Sequence, residues 1–103
     1  MTTLVIQIGN SDDKLPQAEW AKYARRTHET INAWAEEIHF SGGSYTFDPW
    51  QNACFVCEVD DDCHERLHAA LIVIARRFQQ DSIAITKGET VFISPSSEVK
   101  NER

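Results

Sequence analysis

Apolar residues in this chain recur with two different periods, and the order in which those periods alternate leaves few folds open. Leu4, Ile6 and Ile8 alternate with Thr3, Val5 and Gln7, the period of a half-buried strand, before the polar run Gly9-Asn10-Ser11-Asp12-Asp13. From Pro16 the spacing becomes four and three. Trp20, Ala24, Thr27, Ile31 and Trp34 form one stripe opposite Lys22, Arg25, Arg26, Glu29 and Glu36, which predicts a long amphipathic helix with Pro16 near its first turn. Ile38-His39-Phe40 fits either a continued helical stripe or a short strand; the strand is favoured, leading into a loop at Ser41-Gly42-Gly43-Ser44-Tyr45 that Asp48-Pro49 closes. Trp50 to Val59 predicts a strand with Ala53, Phe55, Cys57 and Val59 on one face and Asn52, Cys54, Val56 and Glu58 on the other. Asp60-Asp61-Asp62 ends it, Asp62 and Glu65 have capping-box spacing, and Leu67, Ala70, Leu71, Ile74, Ala75 and Phe78 mark a second helix that closes on Arg76 and Arg77. Ser82 to Thr86 predicts another strand, Lys87-Gly88-Glu89 a turn, and Thr90 to Ile93 a last short strand.

Strand, helix, strand, strand, helix, strand is the order of an α+β fold, the ferredoxin-like split βαββαβ antiparallel sheet with two helices on one face, here with a short extra C-terminal strand. A chain of 103 residues supports one core, so a single domain over 1–93 and a flexible polar tail over 94–103 are expected. The sheet face without helices would carry Val5, Gln7, Cys54, Val56, Ala84, Thr86 and Phe92. That face is too apolar for water, which predicts a homo-oligomer, most simply a dimer packed sheet on sheet.

Sixteen acidic against ten basic residues give a formal charge of −6, which disfavours general nucleic-acid or anionic-membrane binding because phosphate contacts need a positive face. No stretch approaches the roughly 20 apolar residues of a membrane span, no leader pattern opens the chain, and three cysteines suit reduced thiols, so a cytoplasmic location is expected.

Several constellations could carry chemistry. His64-Glu65-Arg66-Leu67-His68 spells H-E-x-x-H, in which two histidines one turn apart bind a metal and the glutamate acts as base. It sits in a first helical turn, with Glu65 in a capping position and no third ligand following at metzincin spacing, so an exposed helix start is preferred over a metal-dependent hydrolase. Cys54 and Cys57 have an odd offset along a strand and point to opposite faces, so they do not chelate together. Cys63 lies among Asp60, Asp61, Asp62 and Glu65, whose charge opposes a reactive thiolate. No P-loop, dinucleotide fingerprint or serine elbow is present, and no cofactor is expected.

The preferred site follows from topology. In the split arrangement the end of the first strand, the central hairpin and the start of the fourth strand share one sheet edge. Asn10, Ser11, Asp12, Asp13 and Lys14, then Gly42, Gly43, Trp50 and Gln51, then Gln80, Asp81 and Ser82 would meet there, supplying stacking surface, orienting hydrogen bonds and close backbone approach for a small polar ligand.

Ile8-Gly9-Asn10-Ser11-Asp12-Asp13-Lys14-Leu15 with Glu19-Trp20, then Trp50-Gln51-Asn52 and Arg77-Phe78-Gln79-Gln80-Asp81-Ser82-Ile83, resemble short uncharacterised ferredoxin-like proteins of bacterial and bacteriophage genomes. The resemblance spans nearly the whole chain and implies the fold, not an activity. Small phage proteins of this style often sequester a signalling nucleotide or block a host protein. The leading expectation is therefore a non-enzymatic oligomeric binder of a nucleotide-like ligand, with Trp50 stacking and Lys14 meeting an anion. The alternatives are an acidic protein-interaction module using Glu58, Asp60, Asp61, Asp62 and Glu65, and the hydrolase using His64, His68 and Glu65.

Overall fold

The computed structural model describes residues 1–44 and 50–95. Tyr45, Asp48-Pro49 and the tail beyond Pro95 lie outside them. The chain runs β1 (Thr2–Gly9), a 3₁₀ turn (Ser11–Asp13), α1 (Gln17–Trp34), β2 (Glu37–Gly43), β3 (Asn52–Val59), a second 3₁₀ turn (Asp61–Cys63), α2 (His64–Arg77) and β4 (Ala84–Gly88). All pairings are antiparallel and the sheet order is β2-β3-β1-β4, the α+β ferredoxin-like arrangement. The strand reading of Ile38-His39-Phe40 holds, with a bulge at His39, because Ile38 pairs with Cys57 and Phe40 already with Val56.

The two-residue period sorts the side chains as the sequence requires. Leu4, Ile6 and Ile8 of β1 and Ala53, Phe55, Cys57 and Val59 of β3 are buried under the helices together with Trp20, Tyr23, Thr27, Ile31, Leu67, Leu71 and Ala75. Tyr23 is missing from the sequence-derived stripe. It lies three residues from Trp20 and four from Thr27, fully buried, its ring against Trp20 and Phe78 at centroid distances of 5.8 and 5.3 Å. The tyrosine hydroxyl and the Thr27 Oγ1 are both buried without a hydrogen-bond partner among the described residues.

Four expectations are corrected. Ser41, Gly42 and Gly43 belong to β2 and not to a loop. A Cβ on Gly43 would stand 2.2 Å from the Asn52 carbonyl oxygen, and one on Gly42 would stand 2.9 Å from the Phe40 ring, so these glycines permit close approach within the sheet. The expected turn at Lys87-Gly88 is instead the end of β4, paired with Leu4 and Thr3, while Ser82 and Ile83 precede that strand. Asp62 does not start the expected capping box; a 3₁₀ turn intervenes, and Asp60 accepts from the Asp62 amide. Thr90 to Ile93 form no strand. With β4 extended through Gly88, the chain turns onto the open face, where the Thr90 hydroxyl meets that of Thr3 and the Phe92 ring sits edge-on to His39, 5.7 Å between centroids.

Burial pushes the Cys57 thiol up from 9.0 to about 11, with Glu58 adding to the shift, and the Tyr23 phenol from 10.0 to about 12. Both groups hold their protons to higher pH in the folded chain than in the unfolded one. The contribution of these two groups to stability is therefore fully present below about pH 9 and is lost as pH rises toward 12. Tyr23→Phe removes the unpartnered hydroxyl and is expected to raise stability at pH 7 by about 1 kcal/mol. It also flattens the fall above pH 10, as checked by urea unfolding across pH.

Candidate functional site

The end of β1, the segment before β3 and the segment after α2 converge on one hydrogen-bonded floor. Asn10 is its pivot. Its Oδ1 accepts from the Leu15 amide at 2.9 Å, and its Nδ2 donates to the Leu15 carbonyl at 2.8 Å and to Gln51 Oε1. The Asn10 amide donates to the Gln51 carbonyl at 3.1 Å, and Gln51 Nε2 donates to Gln17 Oε1 at 2.6 Å, which ties the floor to the first turn of α1.

From the other side, α2 ends in a Schellman turn. The Gln79 amide donates to the Arg76 carbonyl and the Gln80 amide to the Ala75 carbonyl at 2.8 Å, with Gln79 in the left-handed region at φ 60. That turn buries Gln80, whose Oε1 accepts from the Ser11 amide at 2.7 Å while its Nε2 donates to the Phe78 carbonyl. The Asp81 amide donates to Ser11 Oγ at 3.3 Å, and Asp81 pairs with Lys14 at 3.5 Å.

A depression of about 750 Å³ opens beside this floor, lined in part by Asn10, Ser11, Asp12, Asp13, Trp50, Gln51 and Ser82. Trp50 is 77% exposed, a large apolar ring left in water beside polar groups. Asp12 and Asp13 occupy the left-handed region at φ 53 and 55, a conformation aspartate tolerates at a cost and that clusters where loops have work to do.

Of the twelve residues expected at the site, these seven line one depression. Gln80, Asp81 and Lys14 are joined to the floor by the bonds above and do not line the depression. Gly42 and Gly43 border a different hollow, of about 630 Å³ between α1 and β2, with Trp20, Arg25, His28 and Phe55. The sequence reading missed Gln17 as a partner of Gln51 and Leu15 as the backbone partner of Asn10. The residue signal for the latter, an Asn that opens a turn, was present.

The opposite edge holds the H-E-x-x-H turn. The His64 and His68 rings stack with 6.4 Å between centroids, and both Nε2 atoms are buried without a hydrogen bond among the described residues. Burial lowers the His68 pKa, as do Lys87 and His64. His64 Nε2 stands 3.8 Å from Asp61 Oδ1, an oxygen already taken by the Thr2 hydroxyl at 2.6 Å. Glu65 is exposed on the helix surface, and among the described residues no group of three or more His, Cys, Asp or Glu side chains is placed to hold a metal.

The acidic patch is likewise partly committed. Asp60 caps a turn, Asp61 holds Thr2, and Glu58 accepts from the Thr3 hydroxyl at 2.6 Å and meets His39 Nε2 at 3.0 Å. The Thr3 bond, more than that of His39, lowers the Glu58 pKa.

No family model matches the chain, and no curated protein matches it.

Asn10→Ala removes three side-chain hydrogen bonds from the floor and is expected to destabilise the chain by about 2 kcal/mol. In a hydrogen-exchange measurement the Leu15 amide would lose protection first. Unchanged stability would show that water replaces the side chain at no cost.

Proposed function

We propose that this chain is a non-enzymatic binding protein that holds a small, nucleotide-like ligand in the depression at the loop edge of the sheet. One observation carries the reading. Segments 10–15, 50–51 and 80–82, far apart in the chain, are hydrogen-bonded into a fixed polar floor beside an exposed indole. A ring stacked on Trp50 would find acceptors in the Asp12 and Asp13 carboxylates and mixed donors and acceptors in Gln51 and Ser82, the complement of a nucleobase amine and ribose hydroxyls. Base and sugar thus supply most of the recognition. Lys14, already paired with Asp81, contributes less to a phosphate than its position in the sequence suggests. Sequestration of a signalling nucleotide, in the style of phage counter-defence proteins, is the biological role such a site would serve.

The same reading makes the protein a dimer. The open face presents Val5, Cys54, Val56 and Ala84 flanked by Phe40, 54% exposed, and the exposed run Val91-Phe92-Ile93. At its end the Glu58 carboxylate is engaged by the Thr3 hydroxyl and lies 3.0 Å from His39 Nε2. A second copy brings an equally apolar face, so the match is self-complementary in a chain whose net charge of −6 keeps other surfaces apart.

Titration with adenosine and adenosine monophosphate, followed by tryptophan fluorescence and equilibrium dialysis, tests the ligand site. Trp50→Ala is expected to weaken binding at least tenfold and Asp12→Asn severalfold. If a bound nucleoside is held equally well by both variants, the site lies elsewhere. Val56→Glu places a charge in the centre of the open face, and sedimentation is expected to show the dimer converted to monomer with the fold retained.

A further inference from the structure

A second groove, of about 340 Å³, lies between α2 and β4 on the helix side of the sheet. Its apolar surface comes from Leu71 and Ala75 of α2 and from Ile83 and Ile85 at the edge strand, with Ile72, 51% exposed, on its rim. Among the described residues β4 pairs on one side with β1 and has no strand beyond it.

The charged groups around this groove are of both signs. Arg76 lines it from the last turn of α2 and makes no ion pair among the described residues. Lys87 and Glu65 both lie near enough to His68, another lining residue, to act on its charge, in opposite senses. The one lining carboxylate, Asp81, is matched by Lys14. An apolar trough with an unpaired guanidinium at one end, on a protein of net charge −6, selects by charge complementarity for a molecule with an apolar body and a single acid group.

We propose that the α2–β4 groove binds a small amphipathic carboxylate, its acid on the Arg76 guanidinium and its aliphatic or aryl body along Leu71, Ala75, Ile83 and Ile85. This site is independent of the loop-edge depression, although Ser82 borders both.

The test uses octanoate, octan-1-ol and octylamine, which share a chain length and differ in head group, titrated below their aggregation limits against the full chain with methyl and amide NMR detection. Octanoate is expected to shift the Ile83, Ile85 and Leu71 methyls, with octan-1-ol at least fivefold weaker and octylamine weaker still. Decanoate should bind roughly fifteenfold more tightly than octanoate, from about fourfold per buried methylene. Arg76→Ala should weaken octanoate at least fivefold without altering the octan-1-ol affinity, whereas Arg77→Ala, outside the groove lining, leaves both unchanged. Equal affinity for the three head groups, shifts confined to other residues, an unaffected Arg76→Ala variant or no shift with millimolar octanoate would each overturn the proposal. The amide spectrum of Arg76→Ala separates a lost contact from a lost fold.

Discussion

Two central strands, β1 and β3, are each hydrogen-bonded along both edges, and their side chains must therefore leave the sheet on alternate faces. Leu4, Ile6 and Ile8 opposite Phe55 and Ala53, with Cys57 beside Leu4, make one of those faces continuous and apolar. A one-residue slip in the β1–β3 pairing would set Val56 in place of Phe55 beside Ile6, or Val5 in place of Ile6 beside Phe55, turning one strand's core residues to the other face. The helices can lie on that face alone, and the loops that join the elements gather at the ends of the strands. The loop-edge floor and the His64–Asp61 edge are thus set by the same register.

Where a period ran for several residues it was legible in the sequence: β1, β3 and both helices follow from spacing, and β2 survives as a strand despite its bulge. What spacing could not show were features set by single backbone conformations. Gln79 adopts the left-handed region without being glycine, so nothing in its residue type marks the turn that buries Gln80. Gly42 and Gly43 read as loop residues because glycine usually signals a turn, whereas here the Asn52 carbonyl and the Phe40 ring use the space a side chain would take. Tyr23 carries a polar hydroxyl tip, yet two aromatic neighbours hold it in the core.

The site was legible to the extent that topology dictated it. Once three loops were assigned to one sheet edge, their meeting required no knowledge of side-chain conformation. Which groups would face outward did require it. Lys14 turned to Asp81, and Asn10 and Gln80 turned inward to backbone groups. Asp12, Asp13 and Trp50 were left at the depression's surface. Buried polar groups must find partners, and the amides and the lysine found them within the loops themselves.

The bond from the Ser11 amide to buried Gln80 has a consequence for motion. It joins the loop after β1 to the C-terminal turn of α2, two segments whose thermal opening would otherwise be separate events. Fraying of that helix end withdraws Gln80 and releases Ser11, and lifting the loop takes from buried Gln80 Oε1 the amide that satisfies it. These two segments therefore breathe together, as one cooperative unit spanning residues far apart in the chain.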